Sequence, residues 1–99
     1  MRGGDLALED YAGHIGTTFI ATDAEGRPVL FDLVEATALK EAPHGETRAP
    51  FSLFFRTADQ RQFEQGIIDL THPAMGTLSL FVVPIGRDTE GARYEATFN

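Results

Sequence analysis

Residues 66–86, GIIDLTHPAMGTLSLFVVPIG, constrain the fold of this 99-residue chain more than any other stretch. Two apolar runs rich in β-branched and aromatic residues flank His72-Pro73-Ala74-Met75-Gly76, a segment that breaks regular structure. The pattern is that of a core hairpin. Phe51-Ser52-Leu53-Phe54-Phe55 precedes it and Tyr94-Glu95-Ala96-Thr97-Phe98 follows it, which predicts a compact antiparallel β domain whose hydrophobic content goes almost entirely into packing.

The other elements follow from periodicity and turn chemistry. Residues 6–16 are the one helical candidate. Leu8, Tyr11, Ala12 and Ile15 share a face, Glu9 and Asp10 suit a first turn, and Gly13 and Gly16 can end it. So short a helix must dock its Leu8-Tyr11-Ile15 face on the sheet, plugging one end. Residues 17–22 alternate as a strand, and Asp23-Ala24-Glu25-Gly26 turns the chain into a second run from Pro28 to about Leu39. In that run Val29, Phe31 and Leu33 take one face and Leu30, Asp32, Val34 and Ala36 the other, so cover on both sides is expected.

Residues 40–50 hold two Pro and one Gly with no apolar period and form the longest loop, and residues 57–65 are a polar connection. The third strand begins at Phe51, the fourth and fifth cover 67–71 and 77–85, and the sixth covers 93–98. Pro84 calls for an edge or a bulge late in the fifth strand. The expected fold is therefore mainly β: about six antiparallel strands in up-and-down order, forming a small barrel or a two-layer sandwich, with one short N-terminal helix. Residues 1–99 read as a single domain, helix at about 6–15 and strands over about 17–99.

Composition narrows the function. Fifteen acidic against eight basic residues give a net charge of −7, and the basic residues are scattered, so no nucleic-acid partner is expected. The chain has no Cys, which removes disulfides, thiolate metal sites and Cys nucleophiles. There is no signal-peptide core and no membrane-spanning apolar run. The expected location is cytoplasmic, or exported without a cleavable signal as part of an assembly.

Chemistry-bearing motifs are thin. His14, His44 and His72 lack metal-ligand spacing, and no cofactor or metal is expected. Asp23-Ala24-Glu25-Gly26 and Asp88-Thr89-Glu90-Gly91 read as hairpin tips, each offering two carboxylates where calcium takes roughly six to eight oxygens. Ser52 and Ser79 lie inside strands, outside any Gly-x-Ser-x-Gly turn. Asp32 and Asp69, in apolar strands, are the carboxylates open to a raised pKa, or to solvent or pairing with Arg56 or Arg93. His72, ahead of Pro73, reads as a ring that caps the turn or bonds a neighbouring carbonyl. No catalytic residue is assigned.

The order of His14-Ile15-Gly16, Phe19, Phe51-Ser52-Leu53-Phe54-Phe55, Gln65-Gly66, His72-Pro73-Ala74-Met75-Gly76, Leu80-Phe81-Val82-Val83-Pro84-Ile85-Gly86 and Tyr94-Glu95-Ala96-Thr97-Phe98-Asn99 resembles the small bacterial domain-of-unknown-function family 6916. The resemblance spans nearly the whole chain. It implies a largely β domain without an established activity, occurring near phage-tail-like or tail-collar proteins, and it carries over no catalytic residue.

Two functions are compatible with these residues. One is a non-enzymatic protein-interaction or assembly domain that binds a protein partner or itself, using the loops 40–50 and 57–65. The other is a small-molecule-binding barrel or weak enzyme with His72, Asp69 and Arg56 as its polar group at a barrel mouth.

Overall fold

A computed structural model gives the structure of residues 6–23, 25–39, 50–58 and 65–98. One short helix, α1 (Leu8–Ala12), precedes six strands: β1 (Thr18–Thr22), β2 (Pro28–Ala38), β3 (Phe51–Thr57), β4 (Gly66–His72), β5 (Gly76–Asp88) and β6 (Gly91–Phe98). All neighbours are antiparallel, and the sheet closes on itself in the order β1-β2-β3-β6-β5-β4. The fold is a barrel, which decides between the two architectures the sequence allowed.

The strand order departs from the up-and-down arrangement expected from sequence. β3 pairs with β6 along its whole length, from Phe51↔Phe98 to Thr57↔Ala92, so β3 and β4, consecutive in the chain, stand on different walls of the barrel. Strands β3 to β6 thus form a Greek key. The polar connection after Thr57 joins the two in sequence, and pairing β3 with β6 places the alternating Phe51, Leu53 and Phe55 opposite the alternating Tyr94, Ala96 and Phe98. Residues 59–64 of this connection and 40–49 of the other long loop lie outside the described residues.

Inward-facing side chains fill the barrel. Phe19, Val29, Phe31, Leu33, Phe51, Leu53, Phe55, Leu70, Leu78, Leu80, Val82 and Tyr94 are all buried. The rings pack at tilted or edge-on angles that suit their quadrupoles: Phe19 on Phe55 at 5.6 Å between centroids, Phe31 on Tyr94 at 5.3 Å. At one end Phe51 stacks on Phe98 at 4.5 Å, and Tyr11 from α1 closes over both.

α1 plugs the barrel as expected, with Tyr11 buried and Leu8 packed against the core, but the expected face is not complete. It ends at Ala12, so Ile15 falls outside the helix and is exposed, while Leu6 and Tyr11 supply the buried contacts. The Asp10 carboxylate accepts the Ala7 N–H at 2.8 Å and stabilises the first turn. After the helix Gly16 turns at a φ of 92°, and its N–H donates to the Leu33 carbonyl at 2.8 Å, tying the connection to β2.

Two further expectations meet the structure differently. The bulge required by Pro84 is present, a register shift between Pro84 and Gly86 against β6. Cover on both sides of β2 is not found: Leu30 and Val34 are exposed, because no layer of structure among the described residues lies outside the barrel there.

The two Asp-x-Glu-Gly tips close hairpins at the same barrel end. Asp23 Oδ1 accepts the N–H groups of Glu25 and Arg27, and Asp88 Oδ1 accepts that of Glu90, so each carboxylate serves its own turn. Gly91 has a second role. Its φ is 142°, and a Cβ there would sit 2.0 Å from the Thr57 carbonyl oxygen, where β3 meets β6. Gly91→Ala combines backbone strain with overpacking and is expected to destabilise the domain by at least about 2 kcal/mol, measured by urea denaturation. An unchanged midpoint would show that the β3–β6 approach is looser than described.

Candidate functional site

His72 ends β4 with its side chain turned inward, because it follows the buried Leu70 at a spacing of two. Pro73-Ala74-Met75 then carries the chain to Gly76, which adopts a φ of 76° and pairs back with His72. The His72 ring organises this turn. Its Nδ1 accepts the Ala74 N–H at 3.0 Å. An acceptor Nδ1 requires the proton on Nε2, and Nε2 lies 3.0 Å from Thr17 Oγ1. Thr17 Oγ1 in turn donates to the His14 carbonyl at 2.6 Å. The relay from the Ala74 amide through His72 and Thr17 to His14 links the β4–β5 turn to the segment entering β1. The His72 ring also stacks near Phe19 at 4.5 Å and meets the His14 ring edge-on at 4.8 Å.

This arrangement limits the chemistry of His72. Both ring nitrogens are committed, so the neutral imidazole presents no lone pair to a substrate proton or a metal. Burial of the ring, then the neighbouring His14, holds its pKa below the ordinary histidine value of 6.5. Among the described residues no three or more His, Cys, Asp or Glu converge as metal ligands.

The other two residues of the barrel-mouth reading stand elsewhere. Asp69 is three residues before His72 on the same strand and points outward, accepting a hydrogen bond from Ser79 Oγ on β5. Arg56 lies on β3, three strands from β4 around the barrel in either direction. It pairs with Glu90 at 2.8 Å and Asp88 at 3.4 Å at the far end of the molecule. The Asp88 carboxyl is held below its ordinary pKa first by the Glu90 amide and then, against slight desolvation, by Arg56. His72, Asp69 and Arg56 therefore form no common site. Asp32 is exposed and accepts from Thr18 Oγ1 at 2.7 Å, while Ser52 donates to Glu95 at 2.7 Å.

The outer face of β2, β1, β4 and β5 is the feature that sequence reasoning missed. Leu30 and Ile20 are cross-strand partners at 54% and 40% exposure, and Ile67 and Phe81 are partners at 71% and 50%. Between the two pairs runs the β1–β4 seam, a shallow cleft of about 370 Å³ lined by Ile20, Ala21, Thr22, Ile67, Ile68, Asp69 and Thr71. Sequence alone committed these side chains to packing. The usable signal was the alternation itself: Ile67 and Phe81 have the parity opposite to buried Leu70 and Leu80.

A family model described as Domain of unknown function (DUF6916) matches residues 6–98. The chain belongs to the DUF6916 family. No curated protein and no solved structure matches it significantly. In this DUF6916 domain the geometry offers no catalytic constellation among the described residues, and no helix among them is long and apolar enough to cross a membrane. What it offers is a filled barrel with an apolar strip on its surface.

Two measurements check the polar sites. In the unfolded chain His72 takes up a proton near its ordinary pKa, while the folded ring resists it. Stability is therefore complete above about pH 6.5 and is lost as pH falls through that value toward the lower folded pKa. Thermal unfolding between about pH 7 and about pH 5 should show this loss, with a shallower dependence in His72→Gln. An identical slope in the variant would place the titration elsewhere. Arg56→Ala is expected to cost less than about 1 kcal/mol in denaturant melts, since its partners are solvent-exposed.

Proposed function

We propose that this domain acts by binding another protein, without catalysis, and that the outer face of β2, β1, β4 and β5 is the contact surface. One observation carries the reading: four large apolar side chains, Leu30, Ile20, Ile67 and Phe81, stand exposed in two register-matched pairs on adjoining strands. Scattered single apolar residues are ordinary on a protein surface, whereas a strip of them on a rigid sheet is costly to leave in water and suits a partner. A role in an assembly is the setting this surface fits best. The loops 40–50 and 57–65, expected from sequence to carry the contacts, lie largely outside the described residues.

The alternative, a small molecule held at a barrel mouth, has less to support it. A barrel of about eight strands is only just wide enough for side chains or one small ligand, and here the interior of six is occupied by Phe, Leu, Val and Tyr. Of the polar residues it required, His72 points inward and Asp69 outward on β4, and Arg56 stands on β3 across the barrel.

Exposed positions can be changed without disturbing the core, so the test is direct. Affinity capture from the source organism should recover a defined set of proteins with the wild-type chain and lose it with the Ile67→Ser, Phe81→Ser double variant, whose circular dichroism and melting stay near wild type. Recovery of the same proteins by both forms would remove this face from consideration. Light scattering over a concentration series is expected to report a monomer at low salt, because a net charge of −7 opposes self-association. A salt-independent oligomer would instead assign the strip to a second copy.

A further inference from the structure

We propose that the outer face of β2, β1, β4 and β5 receives an amphipathic helix of a partner protein, laid along the β1–β4 seam, whose apolar stripe is flanked by Lys or Arg. The proposal rests on the interaction reading above and specifies the partner's chemistry.

The backbone of this face offers little to an incoming chain. The barrel is closed, with β1 standing beside β4, so a partner meets side chains rather than a free ladder. An extended segment laid on such a surface would bury N–H and C=O groups without partners, whereas a helix satisfies them internally and presents a stripe of side chains. The relief of the face suits that shape. The cleft along the seam continues past Ile20 and Thr71 into a second shallow cleft that reaches Pro73 and Thr77. In the register set by Ile20↔Thr71, four levels follow one another two residues apart: Asp32, then Leu30 with Ile20, then Asp69, then Ile67 with Phe81. They extend over about 20 Å, the length of roughly 14 helical residues.

Charge identifies the flanks of the helix. β1, β4 and the parts of β2 and β5 paired with them contain Asp32 and Asp69 and no Lys or Arg. Each carboxylate accepts one hydroxyl, Asp32 from Thr18 and Asp69 from Ser79, and neither joins an ion pair among the described residues. Arg56, the cross-strand partner of Asp32, turns instead to Asp88 and Glu90, and Arg27, just before β2, pairs with Asp23 and Glu25. Asp32 on β2 and Asp69 on β4 lie on opposite sides of the seam, so both flanks of a helix along it would meet a negative charge. A partner that covered the apolar pairs without cations would desolvate these carboxylates uncompensated, which favours one that brings Lys or Arg to each. A second copy is the wrong occupant. It would set carboxylates against carboxylates, and it carries a net charge of −7.

The probe is the acetylated, amidated peptide Ala-Lys-Leu-Lys-Ala-Leu-Leu-Ala-Lys-Leu-Lys-Ala-Ala-Leu, in which the Leu residues share one helical face and the Lys residues border it. Titrated into the whole isotope-labelled chain, it is expected to bind saturably, to gain helicity by circular dichroism, and to shift amides confined to 18–22, 28–32, 67–71 and 77–81. Replacing every Lys by Glu should weaken binding by about ten-fold or more, and so should Pro at the central Ala. The Asp32→Lys, Asp69→Lys double variant should reverse the preference between the Lys and Glu peptides, and Asp69→Asn, which keeps the side-chain shape, should narrow it. No binding up to millimolar peptide, shifts elsewhere, equal affinity of the Lys and Glu forms, undiminished binding of the Pro form, or a preference unchanged in both variants would each overturn the proposal. Dimerisation through these residues that excludes the peptide would overturn it as well. If the Lys peptide fails while the Ile67→Ser, Phe81→Ser variant still loses its captured proteins, the basic helix is wrong and the interaction reading stands. If that variant also keeps its partners, both fail.

Discussion

A six-stranded barrel encloses a space too narrow to leave empty and too dry to fill with polar groups, so its interior must be packed by large apolar side chains of matched shape. Phe19, Phe31, Phe55 and Tyr94 meet that requirement near the middle, and Tyr11, Phe51 and Phe98 meet it at the end closed by α1. The remainder of the structure is arranged around this aromatic column. Alternation along each strand follows it, the strand order pairs Phe51, Leu53 and Phe55 with the β6 face that buries them, and Tyr11 of the short helix caps the column together with Leu6. With the inside committed in this way, interaction with other molecules is left to the outside.

Much of the fold was legible in the residues. The apolar runs marked all six strands, and Pro84 announced its bulge. His72 ahead of Pro73 was readable as a turn cap because a ring at that position reaches the amide two residues on. Strand order was not legible, since local patterning fixes which residues are paired with turns but not which wall a strand joins after a long polar connection. The helix face failed at Ile15 because periodicity extends across a helix end that only three-dimensional closure defines.

The candidate site shows the same division. Asp69 and His72 are separated by an odd number of positions on one strand, which sends them to opposite faces, and that much the sequence contained. The distance of Arg56 from both followed from topology and could not be read locally. Apolar composition was the least informative guide: Leu30, Ile67 and Phe81 look like core residues until the barrel is shown to have no second layer on that side among the described residues.

The seam between β1 and β4 also bears on how the chain reaches this structure. The contact between Ile20 and Thr71 joins positions 51 apart, whereas β1 with β2, β4 with β5 and β5 with β6 are neighbours through short turns. Loop-closure entropy makes such a contact late to form, and a single residue pair rewards it weakly. Two preassembled sheets, β1-β2 and β4-β5-β6, would then be joined first by the docking of β3 between β2 and β6, and only afterwards across the seam. The histidine relay makes that last step nearly a latch. It lets the polypeptide finish as a cylinder whose last wall is held by side-chain hydrogen bonds as well as by the ladder.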